Sequence, residues 1–220
     1  MKRDIITSTI AIVVLTVLLG LVYPLVITGV SQVAFPGNAN GQKIQVGGRL
    51  VGSKIIGQSF QKPVLDKNGK PKEEEEELLT EPDPSYFQSR PSATEGGAYN
   101  AAASTFSNRG PNDKVTAEAD EENIKAYLAL EKPYDRGLTV ARIPVDAVTT
   151  SASNLDPEIS QANAWIQAHR IAAVRHLTLP VVNGLIDKYT SGRSLGFLGE
   201  PGVNVLQLNL ALDRLTGGTH

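Results

Sequence analysis

Residues 5–30 read IITSTIAIVVLTVLLGLVYPLVITGV, and this apolar stretch decides how the rest of the chain can fold. Lys2, Arg3 and Asp4 precede it, and no Asp, Glu, Lys or Arg follows until Lys43. A bilayer core about 30 Å thick requires roughly 20 apolar residues in a helix. About sixteen Ile, Val and Leu residues, at roughly −0.3 to −0.6 kcal/mol each, favour insertion by something like 5 to 10 kcal/mol. The stretch therefore predicts one transmembrane helix, with residues 1–35 forming a cytoplasmic tip and an anchor.

A cleaved signal peptide is the main alternative to a retained anchor. The apolar region of such a peptide runs about 7 to 15 residues and ends at a small-x-small cleavage site. Gly37 and Ala39 imitate this site, but they lie beyond Pro24 and beyond a second apolar stretch that continues through Phe35. We therefore predict that the anchor is retained.

Basic residues lie on only one side of the predicted span. Lys2 and Arg3 come directly before it, whereas the flank after it has no positive charge before Lys43. Basic flanks favour the cytoplasmic side of a membrane. This asymmetry predicts a single-pass protein of the inner (plasma) membrane, with a cytoplasmic N-terminus and with everything after about residue 35 outside the cytoplasm.

Small and polar residues interrupt the span. Gly20 and Gly29 would allow a neighbouring helix to approach closely, Pro24 predicts a kink, and Tyr23 would lie near the outer interface. These features fit a helix packed in a bundle, but they also occur in lone anchors. The residues by themselves leave both interpretations open.

The composition argues against several classes of function. A chain of 220 residues suits one domain with a short appendage. The formal net charge of −2 lacks the positive field of a nucleic-acid-binding protein, so we expect no nucleic-acid partner. The chain contains no cysteine, which excludes thiol catalysis, cysteine-ligated zinc and disulfide bonds.

Residues 36–220 are predicted to form a single mixed α+β extracytoplasmic domain, with strands early and helices late. Residues 42–60 alternate β-branched residues with glycines, which predicts a hairpin or strand pair. Residues 61–84 are polar and contain an acidic run, which predicts an exposed, mobile loop. Residues 85–113 are expected to be irregular but packed, residues 115–130 helical, and residues 139–148 a strand.

The last third of the chain predicts three helices. Asp156-Pro157-Glu158 has the pattern of a cap, a first-turn proline and an acidic residue at a helix start. Thr178 and Pro180 would start a second helix that Gly192 ends, and a third would run from Asn204. The first helix is expected to place on one face Ile159, Ala162, Ile166, Ala173 and Leu177.

One motif suggests catalysis. Residues 192–196 match the G-x-S-x-G pattern of a hydrolase elbow, in which a strand-to-helix turn exposes the serine. The residues before this motif read as a helix end, and Pro201 follows too soon for the required helix. A serine hydrolase would use Ser194, His169 or His176, and Asp187.

The sequence otherwise indicates an accessory or binding domain, and we expect no catalytic residue, no firmly bound cofactor and no metal. His169 and His176 are seven residues apart, whereas the histidines of helical zinc sites are four apart. No phosphate-binding glycine loop with a lysine occurs. An anchored sensor or assembly module stays open as an alternative, as does the hydrolase.

A set of short segments spread over most of the chain resembles one known family in the same order. Several such matches in order are far more specific than any single one. The segments are Gly20 to Pro24 with Ile27 to Gly29, Gly57 to Phe60, Tyr86-Phe87, Arg90 to Ala93, Ser107-Asn108 with Gly110-Pro111, Val148 to Ser160, Arg170, Gly196 to Pro201, and Asn204 to Asp213. In these segments the chain resembles the KdpC family, the C subunit of the Kdp potassium-transporting P-type ATPase. Residues 61–84 depart from the family pattern, in which Phe60 leads more directly to Tyr86, and we interpret them as an insertion.

The resemblance implies a non-catalytic accessory subunit of a four-part complex. Its partners would be a channel-like potassium-binding subunit, a P-type ATPase subunit and a small membrane subunit, besides membrane lipid. ATP and potassium would belong to the complex. The family is also described as a catalytic chaperone that raises the ATP affinity of the ATPase subunit, a role that the predicted topology opposes because ATP is cytoplasmic.

The resemblance also implies roles for individual residues. Helix packing within the membrane is expected for Gly20, Tyr23, Pro24 and Gly29. Structural or interface roles are expected for Arg90, Pro91, Ser92, Asn108, Asp156, Pro157, Gly196, Gly199, Asn204 and Asn209.

Overall fold

The structure is a computed structural model that describes residues 1–74, 77–104, 108–110 and 112–217. The chain divides into two compact units, residues 1–53 and residues 54–220. Helices and strands both contribute, so the predicted mixed class is confirmed. The order of elements is less segregated than predicted, because short strands also occur between the late helices.

The first unit begins with an uninterrupted helical segment, Lys2–Ala34. It consists of α1 (Lys2–Val17), a π-helical turn (Leu18–Val22) and α2 (Tyr23–Ala34). At about 1.5 Å per residue this segment is roughly 50 Å long, which exceeds the 30 Å of a bilayer core. Its mean hydropathy reaches 2.8, and within the described residues it is the one helix that fits a membrane span.

The π-helical turn shows how the span accommodates Pro24. Proline has no N–H, and its ring crowds the carbonyl four residues earlier, here that of Gly20. In the structure, the Tyr23 N–H donates to the Leu18 carbonyl, five residues back, so the turn before the proline is widened. The disturbance predicted at Pro24 therefore takes the form of a π-helical turn.

A short helix and a hairpin complete the first unit. Helix α3 (Pro36–Ala39) precedes antiparallel strands β1 (Lys43–Val46) and β2 (Arg49–Ser53). Gly47 and Gly48 form the turn with φ of +57° and +81°, values that favour glycine at both positions of a two-residue hairpin loop. The strand pair predicted in residues 42–60 is confirmed and ends at residue 53.

Residues 61–84 contain more regular structure than the predicted loop. The segment contains two antiparallel strand pairs: β3 pairs with β6, and between them in sequence β4 pairs with β5. The Asp66 carboxylate accepts from the backbone N–H of Asn68 and of Lys70, which closes a tight turn that lets the flanking chain pair with itself. The strands are β3 (Gln61–Pro63), β4 (Glu73–Glu74), β5 (Glu77–Leu78) and β6 (Thr80–Pro82).

The strand predicted over residues 139–148 is wrong. This segment forms two 3₁₀ turns, Val140–Arg142 and Val145–Ala147. Pro144 between them cannot donate a backbone hydrogen bond to a neighbouring strand. The apolar side chains of Ala147 and Val148 are buried by the turn instead of by a sheet.

The predicted late helices form, but one begins later than expected. Ser160, and not Asp156, caps α5, because its side chain accepts from the Asn163 N–H. Asp156 and Pro157 instead lead into strand β7 (Glu158–Ile159). The helices are α4 (Lys114–Glu131), α5 (Gln161–Val174), α6 (Leu179–Lys188, which ends before Gly192) and α7 (Val205–Thr216, capped by Asn204 as predicted).

A small antiparallel sheet joins these helices. Strand β9 (Gly202–Asn204) lies between β7 and β8 (Thr190–Ser191). All three residues of β9 are buried, and α7 begins directly after it. Apolar residues of α6 and α7, among them Ile186, Leu208 and Leu212, are fully buried in the second unit.

The buried face of α5 differs from the predicted one. Ala162 and Ala173 are exposed, whereas Asn163, Gln167 and Arg170 are buried. Arg170 is fully buried and donates to Glu131 Oε1 at 2.9 Å, to the Tyr86 carbonyl at 2.9 Å and to Gln167 Oε1 at 3.0 Å. A fourth bond, at 2.6 Å, goes to the Pro84 carbonyl.

Replacing Arg170 by alanine should lower the free energy of unfolding by about 3–5 kcal/mol, because the buried Glu131 carboxylate would lose its cation. Denaturant titration of the purified chain in detergent measures this loss. Arg193→Ala is the matched control, since it removes an exposed ion pair with Glu200 and should cost no more than about 1 kcal/mol. Similar small losses in both variants would contradict a central role for Arg170.

Candidate functional site

A cleft of about 300 Å³ lies in the second unit beside the segment Gln88 to Ser92. This segment contains the predicted site residues Arg90, Pro91 and Ser92. Helix α4 contributes Tyr127 and Glu131 to the opposite wall. The cleft is therefore formed by an irregular segment held against two helices, and its other lining residues include Gln58, Tyr99, Asn123, Asn163 and Gln167.

Side-chain amides hold the irregular segment in place. Asn209 of α7 accepts from the Phe87 N–H and donates to the Phe87 carbonyl, both at 2.9 Å. Gln167 of α5 does the same for Gln88, at 2.7 and 3.1 Å. Two successive residues thus obtain from side chains the pair of hydrogen bonds that a neighbouring strand would supply.

Arg90 and Ser92 link this segment to residues 149–156. The Arg90 guanidinium forms an ion pair with Asp156 at 3.3 Å and donates to the Thr150 carbonyl at 3.1 Å. The Ser92 hydroxyl donates to the Asn154 carbonyl at 2.8 Å and accepts from the Tyr99 N–H at 2.9 Å. These side chains therefore bond within the domain.

Gly57 shows how tightly this region is packed. A Cβ added there would overlap the Tyr99 ring and would come within 2.7 Å of the Asp156 carbonyl oxygen. Glycine is thus required by close approach of other parts of the chain. This contact accounts for the glycine at the start of the segment Gly57 to Phe60.

Glu131 is the carboxyl that lines the cleft within the described residues. Burial raises its pKa, and Arg170, which pairs with Oε1, offsets only part of this effect. The buried Oε2 atom has no hydrogen-bond partner in the described part of the chain. Sequence reasoning missed Glu131, Asn163 and Gln167. Asn163 and Gln167 were signalled only by polar residues at helical spacing on α5, and Glu131, at the end of α4, had no such signal.

Four hydroxyl groups at the cleft, those of Ser89, Ser92, Tyr99 and Tyr127, form hydrogen bonds within the domain. Tyr127 donates to Asn163 Oδ1 at 2.9 Å, Tyr99 to the Arg90 carbonyl at 2.6 Å, and Ser89 to the Gln58 carbonyl at 2.8 Å. A catalytic hydroxyl would instead be bonded to a general base. Among the residues that the structure describes, no group of three or more His, Asp or Glu is arranged to hold a metal ion.

The strand–turn–helix geometry of a hydrolase elbow is not formed around Ser194. The serine lies in a tight turn after β8, its N–H donates to the Leu198 carbonyl at 2.8 Å, and the next element is strand β9. His169 and His176 are exposed, and Asp187 accepts a hydrogen bond from Gln161. The structure therefore gives Ser194 a structural setting unlike that of a nucleophile.

The other predicted residues lie apart from the cleft. Asn204 accepts from the Gln207 N–H at 3.1 Å and donates to the Lys54 carbonyl at 2.8 Å. Gly196 and Gly199 lie in an exposed hairpin with φ of +83° each, and Asn108 is exposed with φ of +53°. In the span, an added Cβ on Gly20 or Gly29 would meet no atom within 4 Å, and Tyr23 and Pro24 are exposed.

The fold and the site define a class of protein: a mixed helix-and-sheet domain, held together by a buried polar network, in a chain that begins with one helix fit to span a membrane. Comparison with known families matches residues 5–214 to the family described as KdpC, the c chain of K+-transporting ATPases. The match includes both the apolar helix and the domain. This chain belongs to the KdpC family.

Individual relatives agree with this assignment. A potassium-transporting ATPase KdpC subunit of Methylococcus capsulatus is 45% identical over 93% of this chain and 94% of its own length. The KdpC subunit of Koribacter versatilis is 43% identical over 97% and 95%. The KdpC subunit of Mycobacterium bovis is 41% identical over 98% of this chain and all of its own. The resemblance inferred from the dispersed motifs is thereby confirmed.

Titration of Tyr99 should make the fold sensitive to alkali. Burial raises the pKa of this phenol to about 12, whereas an unfolded tyrosine titrates near 10. The folded state thus holds the proton more tightly, so the contribution of Tyr99 is complete below pH 10 and declines as the pH rises through 12. We expect Tyr99 to contribute roughly 2–3 kcal/mol to the fall in the free energy of unfolding over this range. Burial also raises the pKa of Tyr86 and of Tyr127, so these two phenols add to the fall.

Denaturant titrations between pH 8 and 12 measure this decline. Tyr99→Phe should weaken the pH dependence while costing about 1 kcal/mol at neutral pH, because the bond to the Arg90 carbonyl is lost. Tyr134→Phe, at an exposed residue, should keep the wild-type profile. A Tyr99→Phe profile that declines as steeply as wild type would refute the assignment.

Proposed function

We propose that this chain is the non-catalytic accessory subunit of an ATP-driven, high-affinity potassium importer. Its helix would pack among the helices of the membrane subunits, and its domain would cover the channel-like subunit near the potassium entrance. The observation that carries the proposal is the family match over residues 5–214, which covers both the apolar helix and the polar-cored domain.

The charge distribution supports an external domain. Lys2 and Arg3 lie before the helix, and the next basic residue, Lys43, lies nine residues after its end at Ala34. Basic residues favour the cytoplasmic side, so residues 36–220 would lie outside. An external domain cannot touch cytoplasmic ATP, so any effect of this subunit on the ATPase would pass through the membrane subunits.

The surface of the span supports packing against other helices. Gly20 and Gly29 are open to close approach, and the π-helical turn at residues 18–22 widens the helix around Gly20. In lipid, helices associate through close packing at small residues and through polar contacts, since apolar side chains gain nothing by leaving lipid. The span would therefore supply contacts for assembly in addition to anchoring the chain.

The domain supports a positioning role. Its polar side chains at the cleft bond to one another and to the backbone, as with Arg90 and Asp156 or Gln167 and Gln88. Such a network fixes the shape of an irregular segment. A rigid external body is suited to holding a partner surface in one arrangement.

Orientation can be tested by thiol labelling, because the chain contains no cysteine. Lys132→Cys places a single thiol on the domain surface, and Asp4→Cys places one before the span; both residues are exposed. A membrane-impermeant maleimide added to intact spheroplasts should label the first variant and reach the second only after permeabilisation. The reverse pattern would overturn the proposed topology.

Deletion of residues 36–220, with the span retained, should abolish growth and ion uptake at micromolar potassium. The reason is that the anchor alone would leave the external face of the channel-like subunit uncovered. Uptake of ⁸⁶Rb⁺ by cells that express the other subunits measures the effect, with immunodetection of the truncated span as the control for insertion. Wild-type uptake by the truncated chain would contradict the proposal.

A further inference from the structure

The chain distributes its charge unevenly, and a positive excess lies directly after the span. Residues 36–65 contain four basic residues and no acidic one, whereas residues 66–220 contain 15 basic and 22 acidic residues. No Asp or Glu occurs between Asp4 and Asp66. The segment that follows the membrane helix is therefore cationic, and the rest of the chain is acidic.

The hairpin of β1 and β2, residues 43–53, presents part of this positive charge. We call it the basic hairpin. Lys43 and Arg49 are exposed, and within the described part of the chain neither forms an ion pair. Val46 and Leu50, near the turn, are 39% and 60% exposed. Burial of apolar surface and attraction of cations to anionic lipid together determine binding to a membrane interface.

Both faces of the two-stranded ribbon carry this combination. Arg49 lies opposite Val46, so these two side chains share one face. Leu50 lies opposite Gln45, and Lys43 precedes Gln45 by two residues in β1, so Lys43 and Leu50 share the other face. Whichever face lies toward a membrane therefore presents one cation and one exposed apolar side chain.

Hydrogen bonds hold the hairpin close to the end of the membrane helix. Asn40, which follows α3, donates to Gln32 Oε1 of α2 at 3.1 Å and to the Pro36 carbonyl at 2.7 Å. The Ser53 hydroxyl, at the end of β2, donates to the Gly41 carbonyl at 2.6 Å. The chain between the helix and the base of the hairpin is thus short and bonded at both ends.

The helix ends at the depth of the lipid headgroups. Its apolar run ends at Val30, and residues 31–34 add about 6 Å of helix. The headgroup layer on each side of a hydrocarbon core is roughly 5–8 Å thick. Lys43 follows Ala34 by nine residues, which include the short helix α3. The basic hairpin therefore begins close to this layer.

We propose that the basic hairpin binds the headgroups of anionic phospholipids beside the span. The long side chains of Lys43 and Arg49 contact lipid phosphates, and the apolar side chain on the membrane-facing side lies at the boundary with the acyl chains. This inference goes beyond the proposed function. It requires that the helix crosses a membrane, and it holds for either orientation of the chain.

The covalent link to the span favours lipid over a protein partner. The span brings headgroups to the hairpin in every copy of the chain, whereas contact with a protein requires a second surface of opposite charge. Each basic side chain near an anionic membrane strengthens the association about fivefold, so two such side chains contribute roughly thirtyfold. The acidic excess of residues 66–220 is repelled by the same lipids, which confines the attraction to the segment beside the span.

The test uses the full chain in nanodiscs. Gln45→Cys introduces a single thiol at an exposed position of a chain without cysteine, and bimane is attached to it. The nanodiscs contain phosphatidylcholine, with or without phosphatidylglycerol, and a trace of lipid that carries a quenching nitroxide on its headgroup. Quenching should rise at least about twofold when phosphatidylglycerol is present. High salt should reverse the rise, because salt screens the attraction.

Two double variants locate the contact. Lys43→Gln with Arg49→Gln should lower the quenching to its level in phosphatidylcholine, because the contact weakens roughly thirtyfold. Lys67→Gln with Lys70→Gln is the matched control, since it removes the same charge from two exposed residues outside the hairpin. This control should keep the wild-type quenching.

Three results would overturn the inference. Equal quenching with and without phosphatidylglycerol would show that the hairpin does not bind anionic headgroups. Equal losses in the two double variants would show that the total charge of the chain, and not the hairpin, sets the effect. Protection of the bimane from aqueous iodide only in the complete transporter, and not in nanodiscs of the chain alone, would assign the hairpin to a protein partner.

Discussion

The guanidinium of Arg170 brings a full positive charge into the interior of the domain, where water cannot solvate it. Glu131 of α4 supplies the opposite charge, and Gln167, on α5 with Arg170 itself, supplies an acceptor. Pro84 and Tyr86 supply two carbonyls from an irregular segment. A buried charge is tolerated only when these partners are all in place. Three parts of the chain that are far apart in sequence are therefore required to meet at one side chain.

This requirement explains how residues 84–92 can be well packed without belonging to a sheet. Buried backbone groups need hydrogen-bond partners, and strands usually provide them for one another. Here Asn209 and Gln167 provide them for Phe87 and Gln88 from the sides of two helices. The wall of the cleft is thus set by side chains of α5 and α7, and small changes in those helices would change its shape.

Polar groups without water are compensated in different ways in the span and in the domain. In the span, Pro24 removes a backbone donor in a place where no water can compensate, and the π-helical turn from Leu18 to Val22 keeps the backbone helical up to the proline. In the domain, buried polar groups are compensated by specific partners, as in the network around Arg170. The hairpin between β8 and β9 differs from both, because the apolar side chains of Leu195 and Phe197 are exposed at its tip and do not pack in the core.

Local patterns in the sequence determined those features that depend on neighbouring residues alone. The apolar run of residues 5–30 defines the helix fit to span a membrane, because helix length and hydropathy are local properties. Other local signals marked a hairpin turn at Gly47 and Gly48. Two helix starts were marked likewise, one by Thr178 before Pro180 and one by Asn204 before an apolar stripe. The dispersed motifs were sufficient to assign the family.

Tertiary structure decided everything that depends on partners distant in sequence. The cap of α5 moved from Asp156 to Ser160 because Glu158 and Ile159 pair with β9, some 45 residues later. Residues 139–148 form turns instead of a strand, since no strand in the described part of the chain pairs with them around Pro144 and the core accepts Ala147 and Val148 from a turn. The buried face of α5 carries Arg170 because its charge is satisfied by Glu131, 39 positions away, and no local pattern records such a partner.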